Sequence, residues 1–381
     1  MLPTKTFYFL YYGAMASLGP FLVLYYQELD FSGRQIGILA AISPLLALIS
    51  APLWGAAADI SGQTKKLLLV AISAALVIVF FFSRTTLFLA FVPLVTIYAF
   101  FNGPIMPLVD SSTMEWLGER RRLYGRIRLW GAVGWGVAAP IVGALIESSG
   151  TQWAFYGFII LMSVGLLVAY YLPIQSTAAA QPFWVGLNAL VKNQQWLVFL
   201  GVALISGMCM GMLSNFLFIY MEEQGVSKTI MGISLTAATI SELPILYYSD
   251  RLLARWNARG LIIISLVAYV VRALAYTVIT MPWMFLVVQF LHGLTFSAMW
   301  VAGVAYANEI APAGLNATAQ SLFSAVFLGL GGIIGALIGG VLYDDLGTEA
   351  IFYFAAAAAA IGFVFFVLAG RKVRETAQQP L

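Results

Sequence analysis

Twelve apolar runs, each of about twenty residues or more, constrain this chain more than any other feature of its sequence. They fall at about 6–27, 35–58, 66–83, 86–116, 125–147, 152–172, 196–221, 229–250, 260–280, 283–310, 318–342 and 350–370. A helix needs roughly 20 consecutive apolar residues to cross the hydrocarbon core of a bilayer. Spanning strands would instead alternate apolar and polar positions in short segments. These runs are continuously apolar, so the sequence predicts an all-α membrane protein with twelve transmembrane helices. Only 9% of the 381 residues are charged, which makes the position of each charge informative.

With the N-terminus placed inside, the inner loops carry Lys5, Lys65, Lys66, Arg120, Arg121, Arg122, Arg126, Arg128, Lys192, Arg251, Arg255, Arg259, Arg371, Lys372 and Arg374. The outer loops carry only Arg34, Arg84 and Lys228. This bias predicts cytoplasmic termini in an inner (plasma) membrane by the positive-inside rule. The basic cluster over 119–128 sits in a short loop between two spans, which argues against a nucleic-acid partner. The expected partners are lipid and a small-molecule solute, with a monomer as the default. No cofactor or metal site is expected, and Cys209 reads as a packed hydrophobe.

The longest polar interruption, 173–195, leaves six spans on either side. The reading is two pseudo-symmetric six-helix bundles: an N-terminal bundle over 1–172, a cytoplasmic linker over 173–195, and a C-terminal bundle with a short tail over 196–381. Trp184, Leu187 and Val191 have helical spacing, which fits either a surface helix over Phe183–Lys192 or a plain linker. The loop after the second span of each half has an acid followed by bases. The first contains Gly55, Asp59, Gly62, Lys65 and Lys66; the second contains Asp250 and Arg251. Such an acid can exchange partners between two conformations, or simply anchor topology. Glycines concentrate in the fifth and eleventh spans, where they permit close helix approach. Pro104 and Pro107 predict a bend in the fourth span.

Ionisable groups within apolar runs cost a few kcal/mol each on insertion scales, so they usually face a protected or wet cavity. His292 lies about 9 residues into its span, or roughly 14 Å at the helical rise. Arg272 lies about 12 and Glu242 about 8 residues from the inner ends of theirs, so all three approach the membrane centre. An arginine at that depth needs an anionic partner, which predicts a Glu242–Arg272 pair or a triad with His292. The group is either a permanent structural pair or a proton carrier with Glu242 as acceptor and His292 as relay. In the first half Asp110 and Arg128 can meet across the fourth and fifth spans. Together they offer acceptors and a planar donor fork suited to a polyol or zwitterion. Trp135 lies two turns beyond Arg128 and could stack on a solute or simply pack. Asn215 and Gln289 are candidate pore-lining amides, with Asn215 placed among the cargo contacts.

Two stretches resemble the major facilitator superfamily. Tyr124-Gly-Arg-Ile-Arg-Leu-Trp-Gly-Ala-Val-Gly-Trp135 resembles the start of the fifth helix in the lactose permease and phenylpropionate permease branches. Leu291-His-Gly-Leu-Thr-Phe296, with Ala311-Pro and Thr318-Ala-Gln320 after it, resembles the tenth-to-eleventh helix region of the phenylpropionate permease and nucleoside–proton symporter branches. The 55–66 loop is similar to the superfamily signature, with Ile60 in place of a base. The resemblance implies the major facilitator fold. It implies that Asp110 and Arg128 are the sugar-contacting pair, that Trp135 is a stacking ring, and that Arg272, His292 and Glu242 form the charged group of helices eight to ten. One departure is chemical: the permease's tenth-helix proton-carrying glutamate corresponds here to Thr295.

No phosphate-binding loop, zinc-binding helix or nucleophile elbow occurs, which argues against an ATP-driven pump and the commonest hydrolases. An enzyme is not expected. The expectation is a secondary transporter working by alternating access, with proton-coupled uptake of a glycoside, sugar or nucleoside placed first. Aromatic-acid uptake, an efflux antiporter and a non-transporting receptor are the alternatives.

Overall fold

The computed structural model describes residues 1–174, 193–312 and 315–378. Among these residues every regular element is helical, and twelve helices are long and apolar enough to cross a membrane. The expected surface helix over Phe183–Lys192 lies outside the described residues.

The first three spans are α1 (Leu2–Glu28), α2 (Gly33–Ser61) and α3 (Thr64–Phe82). A capping box starts α2: the Ser32 hydroxyl accepts from the Gln35 amide at 3.3 Å, and the Gln35 side chain accepts from the Ser32 amide at 3.0 Å. Gly62 ends it in the left-handed region, at φ 64°. The fourth span is two helices, α4 (Phe88–Asn102) and α5 (Ile105–Leu117), so the expected bend is a break at Gly103-Pro104. Pro107 falls in the first turn of α5, where a missing N–H leaves no helical bond unmade. Gly103 is needed at the break because a Cβ there would come 2.6 Å from Ser50 Oγ on α2. The fifth and sixth spans are α6 (Tyr124–Ser149) and α7 (Gln152–Tyr170).

The second half begins with α8 (Gln194–Glu223), α9 (Lys228–Tyr247) and α10 (Ser249–Thr277). The tenth span combines α11 (Met284–Gln289), a π-helical segment Gly293–Ser297 and α12 (Ala298–Ile310). The eleventh combines α13 (Asn316–Ser324), a second π-helical segment Ala325–Leu330 and α14 (Gly331–Leu346). The last span opens α15 (Thr348–Gln378).

These helices form two compact units, Met1–Gln181 with Phe218–Thr236, and Pro182–Leu217 with Ala237–Leu381. In the first unit α1 is the inner helix: 67% of its apolar window is buried, against 28% for α2. It packs on α6 and α7. Gly131 and Gly134 make that approach possible, since a Cβ would meet the Tyr12 ring at one position and overlap the Phe9 carbonyl at the other. In the second unit α10 packs on α15 and α12, around a core of Trp196, Phe199, Leu266, Tyr306, Phe323 and Phe327. Residues such as Leu89, Leu167 and Ile361 remain exposed. In a bilayer they face lipid tails as apolar as themselves, at no cost.

Candidate functional site

The first unit brings Asp110 and Arg128 together. Asp110 sits on α5 just beyond the Gly103-Pro104 break, and Arg128 sits in the second turn of α6. Arg128 Nη1 donates to Asp110 Oδ2 at 3.5 Å, and the Tyr8 hydroxyl from α1 donates to Asp110 Oδ1. One turn along α1, the Tyr12 ring centroid lies 5.5 Å from the Arg128 guanidinium, a cation–π contact. Gly131 leaves the room that this ring occupies. Tyr124, the first residue of α6, is a further neighbour of Asp110. The Asp110–Arg128 pair is long, and its side chains are 31% and 46% exposed. Such a half-solvated pair is worth about 0–1 kcal/mol, so a solute with matching donors and acceptors can replace it. Trp135 is half-buried and packs against Ala16, Ala138 and Ala139, with Leu161 and Leu235 beside it.

The second unit brings Glu242, Arg272 and His292 together in a chain of contacts with the imidazole in the middle. Of the two expected arrangements, a direct pair or a triad, the triad is present. His292 Nε2 lies 3.3 Å from Glu242 Oε1, and Nδ1 lies 3.0 Å from Arg272 Nη1. Arg272 is only 3% exposed. Its other bonds go to Tyr276 Oη at 3.2 Å, Thr295 Oγ1 at 2.9 Å and Gln289 Oε1 at 2.7 Å. The Ser297 hydroxyl donates to Glu242 Oε2 at 3.1 Å.

The π-helical segment holds this group in place. A π turn frees backbone groups from their usual partners. Here the Gly293 amide donates to Ser241 Oγ at 2.9 Å, and the Thr295 carbonyl accepts from Ser265 Oγ at 2.8 Å. A Cβ at Gly293 would overlap the Ser241 carbonyl, so glycine lets the tenth span lie against α9 with His292 beside Glu242.

Asn215 is half-buried on α8, and its Nδ2 donates to the Gly211 carbonyl at 2.7 Å. Gly55 has open space around it, and Asp59 is exposed. Lys65 Nζ donates to the Leu172 carbonyl at 3.3 Å and lies over the Tyr170 ring, tying the 62–64 turn to the end of α7. Asp250 occupies the first turn of α10, where the helix dipole favours an acid, and Arg251 lies over the Tyr248 ring.

Sequence reasoning missed Tyr8 and Tyr12 as partners of the first pair, and Tyr276, Gln289 and Ser297 as partners of the second group. It also missed Glu147. That carboxylate, at the end of α6, accepts from the Thr229 amide at 3.1 Å and from the Thr229 hydroxyl, capping the first turn of α9 within the first unit. The same stretch is sealed where Thr236 Oγ1 donates to the Gly136 carbonyl at 2.6 Å. Helical spacing links the two: Gly136, Gly143 and Glu147 share one face of α6.

Comparison with known proteins agrees with this architecture. The family model described as MFS_1 like family matches residues 1–354. The chain is 28% identical over 388 residues to a maltose permease of Geobacillus stearothermophilus, covering 98% of this chain and 95% of that one. It is 26% identical over 352 residues to a probable 3-phenylpropionic acid transporter of Escherichia coli (strain K12), covering 89% and 90%. The crystal structure of the nucleoside transporter NupG superposes with a TM-score of 0.85 at 20% identity, over 96% of this chain and 98% of that one. With twelve apolar helices in two compact units and a family match over nearly its whole length, the chain is a multi-pass membrane protein that belongs to the MFS_1 like family of major facilitator transporters.

Proposed function

We propose that this protein is a proton-coupled symporter that takes up a small polar organic solute by alternating access across the inner (plasma) membrane, with both termini cytoplasmic. A sugar, glycoside or nucleoside is the first choice of cargo. The carrying observation is that each unit holds one polar group within otherwise apolar helices, and that the two groups differ in chemistry. The first is a half-exposed Asp110–Arg128 pair with aromatic faces beside it, suited to holding cargo. Trp135 and Asn215 complete the cargo contacts in this reading. The second is an Arg272–His292–Glu242 relay, suited to carrying a proton. The relatives named for maltose and nucleosides favour a neutral polyhydroxylated cargo, and the one named for 3-phenylpropionic acid supports the second choice, an aromatic acid. Gly55, Asp59, Gly62, Lys65, Asp250 and Arg251 sit near the junctions of consecutive spans, on helix ends and one turn, and change partners during the cycle in this reading.

A thermal-shift series on purified protein tests the cargo half. Maltose, uridine and 3-phenylpropionate are added in turn. A ligand at 100 times its Kd stabilises the folded state by about 2.7 kcal/mol. In Asp110→Asn and Arg128→Ala the shift is expected to require at least tenfold more ligand, about 1.4 kcal/mol of binding. The melting point without ligand should stay near wild type, because the pair is half-solvated. Unchanged ligand shifts in both variants would remove the pair from the site.

A further inference from the structure

The least expected feature of the second unit is the company Arg272 keeps. A guanidinium carries five N–H donors and no acceptor. At 3% exposure these donors must be met by protein groups, and a buried charge ordinarily sits against an opposite charge. The partners here are a phenol, an imidazole, a hydroxyl and an amide, all neutral. The shortest of the four bonds, 2.7 Å, goes to Gln289 Oε1. That oxygen also accepts from the Tyr276 hydroxyl at 3.3 Å, which in turn accepts from Arg272 Nε, so the three residues close a ring. Gln289 is 2% exposed and stands one helical turn before His292.

Proton bookkeeping follows from the donor-only character of arginine. Nδ1 of His292 faces Arg272 Nη1 at 3.0 Å, so it must accept and carries no proton. The single proton of a neutral imidazole then sits on Nε2, pointing at Glu242 Oε1 3.3 Å away. The charged groups facing the ring are Arg272 from α10 and Glu242 from α9, and Phe296 stacks on its face.

We infer that Gln289 is a positioning residue: by holding Arg272 through a neutral acceptor, it keeps the guanidinium on Nδ1 of His292 and fixes the imidazole with its proton toward Glu242. An amide does this where a carboxylate could not. A glutamate at 289 would take the guanidinium into a bidentate ion pair and release Nδ1. A leucine would leave Nη2 without its acceptor. This inference rests on the proton-coupling reading for its role in transport, but its structural content can be tested without it.

His292 is the only histidine in the chain, so protein labelled with nitrogen-15 histidine reports one imidazole. Wild type is expected to show the Nε2–H tautomer alone. Gln289→Glu and Gln289→Leu are each expected to add Nδ1–H tautomer or doubly protonated imidazolium. A wild-type signal from Nδ1–H overturns the inference, and so does a wild-type spectrum in both variants. In proteoliposomes loaded with the cargo found by thermal shift, Gln289→Glu should lose uphill accumulation and retain counterflow. Retained accumulation counts against the positioning role. If wild type itself accumulates nothing under a proton gradient but shows counterflow, the coupling reading fails on its own, and the tautomer result still decides the role of Gln289.

Discussion

Replacing Glu242 by glutamine is expected to reduce proton-driven accumulation of cargo to the level of empty vesicles while leaving counterflow of the same order as wild type. The amide nearly keeps the geometry: its oxygen can take the place of Oε1 and accept from His292 Nε2, and its NH2, in the place of Oε2, donates to the Ser297 hydroxyl once that hydroxyl turns. It removes the one group in the relay able to take up and release a proton without breaking the Arg272–His292 bond. Counterflow moves cargo in both directions with no net proton movement, so a binding-competent protein retains it. Truncating one partner of a fully buried ion pair costs about 3–5 kcal/mol. The cost here should be smaller, because the Glu242 side chain is 24% exposed and an imidazole separates it from Arg272. The variant should therefore fold. Accumulation equal to wild type would remove Glu242 from the coupling role.

The largest loss of stability is expected from Gly207→Leu. The glycines of α8 and the eleventh span lie in backbone contact. A Cβ at Gly207 would overlap the Phe327 carbonyl, and one at Gly211 would come 2.9 Å from the Gly332 carbonyl. A Cβ at Gly335 would overlap the Met208 carbonyl, and one at Gly339 would come 2.5 Å from the Phe216 ring. Backbone cannot rotate aside as a side chain can. Overpacking a tight core typically costs about 1–3 kcal/mol, and four added carbons against a carbonyl should exceed that range. Gly201 is the control, since its nearest neighbour is Phe365 Cε1 at 3.8 Å, an ordinary contact. Gly207→Leu should give aggregated protein or a melting point far below that of Gly201→Leu in detergent. Equal melting points would show that the glycine contact has no energetic role.

Much of the fold was legible because lipid simplifies the code: a continuous apolar run of sufficient length admits few structures other than a helix. The two polar groups were legible for the complementary reason. Asp110, Arg128, Glu242, Arg272 and His292 are costly in apolar runs and so stand out against them. Their uncharged partners do not. Tyr8 and Tyr12 lie in an α1 rich in aromatic residues, where a tyrosine that binds a carboxylate looks like one that packs. Gln289 was visible only as a weak amide, since its value comes from Arg272, seventeen residues earlier on another helix. The π-helical segments leave no local signature. In Gly293–Ser297 the displaced backbone groups are satisfied by Ser241 and Ser265 on neighbouring helices, a tertiary effect that periodicity does not register. Glu147 sits at the end of its apolar run, where nothing local marks it, because the helix start that it caps is supplied by α9.

If solute and proton move together, a single experiment can follow both at once. Proteoliposomes with a lightly buffered exterior are given the cargo found by thermal shift, and external pH is recorded as the solute enters. The medium should turn alkaline with wild-type protein and stay unchanged with Glu242→Gln. Entry of solute through the wild-type protein with no change in pH would contradict this coupling.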